Sequence, residues 1–224
     1  PSDLTEIRDR MVGILLGVGV ATFIQTSIWP EGEADTLRGQ LAAVLREIAA
    51  LARANAKALF EGRSTHAVGS LASATWAKLA DCDAMLARVA LEPDWREGET
   101  DRVSLLSQTA LAQSRTLLMA IEAFHDEAML DKAMGVPVDG ASAFQETAAD
   151  ALEVYAARLA AEPPDARSPV ALDLSGLFAR PVEEAAAARM RTRVLKAWRI
   201  NAGLTGLPCW TTEAGALAEP AAAG

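Results

Sequence analysis

The sequence has little of what catalysis and nucleic-acid binding require. Two histidines and two cysteines occur among 224 residues. Cys82 and Cys209 stand far apart, outside any metal-binding or redox spacing. Cys82 falls in an amphipathic stretch and reads as a small core residue. There is no Gly-rich phosphate loop, no Gly-x-Ser-x-Gly elbow and no Cys/His cluster. Basic residues are outnumbered, 21 Lys and Arg against 30 Asp and Glu, for a net charge of -9. A phosphate backbone needs a basic footprint, so nucleic acid is not an expected partner. Aromatics make up only 5%. No run of alternating β-branched residues suggests a sheet. With these absences goes the expectation of no enzymatic activity, no metal and no cofactor.

What the sequence does have is an uncharged run near its start. From Met11 to Trp29 no residue carries a charge. That is about 19 residues, or roughly 28 Å of helix, against a hydrocarbon core of about 30 Å. Arg8, Asp9 and Arg10 precede it; Glu31, Glu33 and Asp35 follow. Trp29 sits where an interfacial aromatic would sit. The run reads as a transmembrane helix with a charged lead-in, spanning 1–30. A signal peptide fits poorly, because the run is long for an h-region and Ser27-Ile28-Trp29-Pro30 is no small-residue cleavage site. A buried helix of a soluble domain is the competing reading, since Thr22, Gln25, Thr26 and Ser27 lower its hydropathy.

Gly13, Gly17, Ala21 and Gln25 recur every four residues and share one stripe of that helix. Small residues at this spacing let helix backbones approach closely in lipid. Gln25 would need a hydrogen-bond partner there. The stripe predicts packing against other membrane helices.

The run Arg8-Asp9-Arg10-x-x-Gly13-x-x-x-Gly17, then Trp29-Pro30, then a long Ala/Leu/Arg helix, resembles the fusaric acid resistance family. These are bacterial inner-membrane exporters, related to aromatic carboxylic acid efflux proteins and to the inner-membrane component of some multidrug efflux systems. The motif covers about 25 residues, and the remainder agrees in helical character. The resemblance implies the C-terminal portion of such a transporter: its last membrane helix and the soluble helical domain behind it, on the cytoplasmic side. The partners it implies are the lipid bilayer, other transmembrane helices of the same transporter, and periplasmic and outer-membrane efflux components. Charge alone leaves the orientation undecided, because Arg8 and Arg10 before the helix are balanced by Arg38 and Arg46 after it.

The rest of the chain reads as an all-α bundle over 31–205. Leu37, Leu41, Val44, Ile48, Leu51, Asn55 and Leu59 follow 3- and 4-residue steps, with Arg38, Arg46, Arg53 and Lys57 off the stripe. Leu71, Thr75, Leu79, Cys82, Leu86 and Val89 repeat the pattern until Pro93. A third helix is predicted from about Asp101 to Met134, with Val103, Leu106, Ala110, Leu117, Ile121 and Phe124 inward. A fourth runs from about Ser142 to Ala161, with Phe144, Leu152, Tyr155 and Leu159 inward. Pro169 to Arg180 is a linker touching the core through Leu172, Leu174 and Phe178. Pro181 opens a last helix through Val194 and Trp198. Four or five antiparallel amphipathic helices result. The tail over 206–224 is expected to be disordered.

Glu122-x-x-His125, followed by Asp126 and Glu127, is the nearest thing to a chemical motif. Paired copies of Glu-x-x-His hold di-iron centres in bundles. One copy occurs here, and His66 has no Glu three residues before it. The predicted reading is a solvated polar face. Asp81 and Asp83 flank Cys82 but point to different faces. Arg8-Asp9-Arg10 marks the helix end at the headgroups, or offers one Arg to a carboxylate or an anionic substrate. Two functions remain: part of a transporter exporting aromatic acids or other toxic organic compounds, and a membrane-anchored or soluble helical interaction module without transport activity.

Overall fold

The computed structural model describes residues 2–27, 33–61, 66–90, 99–178 and 184–211. Within the first segment, side chains are described for 7, 8 and 10–23. Six helices are present among these residues: α1 (Ser2–Ser27), α2 (Glu33–Glu61), α3 (His66–Val89), α4 (Glu99–Ala133), α5 (Ala141–Leu159) and α6 (Glu184–Thr205).

The stripe read along α2 becomes its buried face. Leu37, Leu41, Val44, Ile48, Leu51, Asn55 and Leu59 are all at most 2% exposed. The 3.6-residue period puts them on one side, where α3, α4 and α5 cover them. Arg38, expected off the stripe, is buried as well. Its guanidinium reaches Asp35 at 3.1 Å and donates to the Ala161 carbonyl at 3.3 Å, so its charge is not left alone.

Contacts between the helices fix their directions. Lys132 near the end of α4 donates to the carbonyls of Leu59 and Phe60 near the end of α2, so those two run the same way. Ser142 at the start of α5 donates to the Ala56 carbonyl at 3.1 Å, which makes α5 antiparallel to α2. On α6, Arg193 meets Asp131 of α4 while Gly203 lies against Leu117, so α6 runs antiparallel to α4. A Cβ added to Gly203 would come within 2.8 Å of the Leu117 side chain. The missing side chain is what lets these two helices close up there.

The turn between α4 and α5 needs two glycines with positive φ, Gly135 at 75° and Gly140 at 76°. A Cβ on Gly140 would also lie 2.3 Å from the carbonyl oxygen of Gly176, in the 3-10 turn Ser175–Phe178. Leu172 and Leu174 of the linker pack against the core, as expected; Phe178 instead is 53% exposed.

Two sequence expectations change. The chain has a small sheet after all: β1 (Asp165–Ala166) pairs antiparallel with β2 (Trp210–Thr211). The ladder is two residues long, too short for any alternating pattern to show. The tail boundary also moves from 206 to beyond 211. Leu207 and Trp210 are buried, at 1% and 4% exposure. Tyr155 donates to the Pro208 carbonyl at 2.7 Å, and Arg102 donates to the Thr211 carbonyl at 2.7 Å. Residues 206–211 thus form a strap across α4 and α5; the rest of the predicted tail lies outside the described residues.

Helix α1 differs from the others. Met11, Val12, Ile14, Leu15, Leu16, Val18, Val20 and Phe23 are each 52–68% exposed. Among the described residues no helix is long and apolar enough to cross a membrane. The predicted span from Met11 to Trp29 extends past them: the side chains of 24–30, with Gln25, Trp29 and Pro30 among them, lie outside the description.

Candidate functional site

The structure leaves the small-residue stripe open. Beyond the helix's own neighbouring backbone, no atom of the described residues lies within 4 Å of a Cβ added at Gly13, Gly17 or Gly19, and Ala21 is exposed. Arg8 and Arg10 are exposed and each takes part in an interaction, while the side chain of Asp9 lies outside the description. Gly13, Gly17 and Ala21 therefore form a face that no described residue covers, with Arg8 and Arg10 toward one end.

The Glu122/His125 pair is not the solvated face that the sequence suggested. His125 is 4% exposed, and neither ring nitrogen has a hydrogen-bond partner among the described residues. Burial lowers its pKa below the usual histidine value, with Asp126 opposing. The reason is geometric: position 125 lies on the side of α4 that carries Leu118 and Ile121, both fully buried. Glu122 instead accepts a hydrogen bond from Trp76 Nε1 of α3 at 3.4 Å. The two side chains are thus engaged in different surroundings. Among the described residues no group of three His, Cys, Asp or Glu could hold a metal ion.

Cys82 is buried beside Gln40, with its Sγ 4.0 Å from Oε1. Burial, then Asp81 and Asp83, push its thiol up to about 11. A thiol held so far from ionisation is a poor nucleophile at neutral pH. Asp83 pairs with Arg115 of α4.

The densest polar cluster was not singled out from the sequence. Asp131 of α4 and Arg193 of α6 are both fully buried. Arg193 Nη1 meets Asp131 Oδ2 at 2.9 Å, and its Nη2 donates to the Pro137 carbonyl at 2.9 Å. Arg189 Nε reaches Asp131 Oδ1 at 2.8 Å. Glu127, one turn earlier, takes Lys196 at 2.7 Å and Arg189 at 3.4 Å. Burial lowers the pKa of Arg193, and Asp131 works against that. Every carboxylate in the cluster faces a cation, so none is poised as a general base. The cluster clamps α6 to α4. Its signal was present in the spacing: Glu127 and Asp131 are four apart, as are Arg189 and Arg193, with Lys196 three further on. Two facing antiparallel helices carry matched charges at the same period.

No protein-family model matches the chain, and no solved structure does. The chain is similar to the multidrug resistance protein MdtO of Escherichia coli strain K12. The two are 38% identical over 162 residues, covering 70% of this chain and 22% of that protein. The same figures hold for MdtO of Shigella flexneri. MdtO of Escherichia coli O6:H1 is 36% identical over 162 residues. The chain thus spans about a fifth of the length of these curated relatives. The relation is to one segment of a multidrug resistance protein.

Proposed function

We propose that this chain is the C-terminal part of a bacterial inner-membrane efflux transporter similar to the fusaric acid resistance exporters. In this reading α1 is the last membrane helix, and α2 to α6 form a domain at the cytoplasmic surface. The likeness to a segment of MdtO carries the reading. The exposed apolar side chains of α1 support it. Burying one such side chain is worth about 1.5–3 kcal/mol, so a run of them left in water is costly, and lipid or other membrane helices remove that cost. Transported compounds are aromatic acids or other toxic organic molecules.

The bundle supports transport and performs no chemistry of its own. Glu127 and Asp131 are engaged with Arg189, Arg193 and Lys196, and Cys82 and His125 are buried. His125→Ala and Glu122→Ala should leave drug resistance per unit of protein within a few-fold of the unaltered transporter. Loss of resistance at normal protein level would instead assign His125 a part in proton movement.

Membrane fractionation tests the placement. The chain expressed in bacteria should sediment with membranes and resist alkaline carbonate extraction. Recovery as a soluble monomer would favour the soluble interaction module.

A further inference from the structure

The outer face of α6 is unlike the rest of this acidic chain. From 185 to 212 the sequence contains no Asp or Glu, and α6 carries five basic residues. Three of them, Arg189, Arg193 and Lys196, turn inward to Glu127 and Asp131. The other two, Arg191 and Arg199, point outward, and neither makes an ion pair or hydrogen bond among the described residues. Between them on the same face lie Leu195 at 63% exposure and Trp198 at 61%. Positions 191, 195, 198 and 202 follow 3- and 4-residue steps, so they form one stripe. The packed side of α6 is already satisfied by α4, so core formation does not account for Leu195 and Trp198.

We propose that this face docks on an anionic lipid surface. Unpaired arginines next to an exposed indole and leucine match an interface where headgroups are negative and the acyl boundary is near. Tryptophan suits that position because its ring is apolar and its N–H is polar. With the chain at net -9, acidic faces would be repelled by the same surface, and the outer face of α6, free of Asp and Glu, can approach it. This extends the membrane placement of α1 to the bundle and sets its orientation. Each Arg near an anionic surface is worth about 1 kcal/mol, or roughly a fivefold factor, so the two together give roughly thirtyfold.

The test uses the full chain with Cys209→Ser and Leu195→Cys, the new thiol carrying an environment-sensitive dye. The protein is reconstituted in phosphatidylcholine vesicles with and without phosphatidylglycerol. Blue-shifted emission, and quenching by brominated lipid, are expected only in the anionic vesicles. Arg191→Gln with Arg199→Gln should cut the docked-to-free ratio roughly thirtyfold, and high salt should do the same. A dye that stays in water in anionic vesicles overturns the proposal. So does equal shielding in pure phosphatidylcholine, or shielding in detergent that grows with protein concentration and marks a second copy. Failure of the α1 placement is distinguishable. The chain would then be extracted at alkaline pH, yet still float with anionic vesicles at low salt through α6.

Discussion

Helices α1 and α2 are similar in length, 26 and 29 residues, and opposite in pattern. On α2 the apolar residues, Phe60 apart, occupy one side and the charges, Arg38 apart, the other, and its stripe is sealed by neighbouring helices. On α1 the apolar residues run all round from Met11 to Phe23, and all the large ones there are more than half exposed. A one-sided stripe specifies partners that the same chain can supply. An all-round apolar surface specifies surroundings, and the described residues do not furnish them. Under the proposed membrane placement of α1, the two helices answer to different solvents.

The sharpest way to break the contrast is inside the bundle. Arg193→Met removes one cation from the buried pair and leaves Asp131 with Arg189 alone. Removing one partner of a buried ion pair costs about 3–5 kcal/mol, so the bundle should melt far earlier, as circular dichroism would show. Leu117→Ala or Ile121→Ala, at two fully buried positions, should cost about 2–5 kcal/mol in the same assay. Of similar or smaller size is Gly203→Ala, which drives a methyl toward Leu117 and should cost about 1–3 kcal/mol by overpacking. Gly13→Leu and Gly17→Leu are the counterpart on α1. With open space around both, the bundle should change by less than about 0.5 kcal/mol. Assembly or export of an intact transporter should nonetheless suffer, because a bulky side chain parts backbones held close in lipid. Unchanged resistance for both would mean that the stripe faces lipid.

His125 gives the smallest effect and a sign. Its folded pKa is depressed by burial, so the unfolded chain binds the proton more readily. The neutral ring costs nothing in charge above the unfolded value of about 6.5, and stability falls as the pH drops below it. Melting temperature should decline through that window, and His125→Leu should flatten the decline. An unaltered profile in the variant would show that other groups cause it.

Helix positions and most inward residues were legible because the 3.6-residue period is written by single residues: Leu41, Leu79 and Leu117 need no knowledge of their partners. What failed needed two segments at once. His125 read as solvent-facing because it stands beside Asp126 and Glu127, yet the neighbours of a helix position are those three and four residues away, and Ile121 is buried. The Asp131–Arg193 pair joins positions 62 apart, so neither residue alone marks it. The strap from 206 to 211 looked like the start of a small, polar tail. Only its contacts with Tyr155 and Arg102 reveal that Leu207 and Trp210 belong to the core. Gly13 and Gly17 stand out in any apolar helix, but the packing partner their stripe calls for does not appear among the described residues.

The contrast between α1 and the bundle is tested most directly by thiol accessibility in native membranes. With Cys209→Ser as background, a cysteine replaces Leu15 on α1 in one protein and Phe60 on α2 in another. Both native side chains are exposed in the chain alone, at 66% and 86%. A membrane-impermeant maleimide should label Phe60→Cys in opened vesicles and label Leu15→Cys only after denaturation in detergent. Equal labelling of the two before denaturation would contradict the membrane placement of α1.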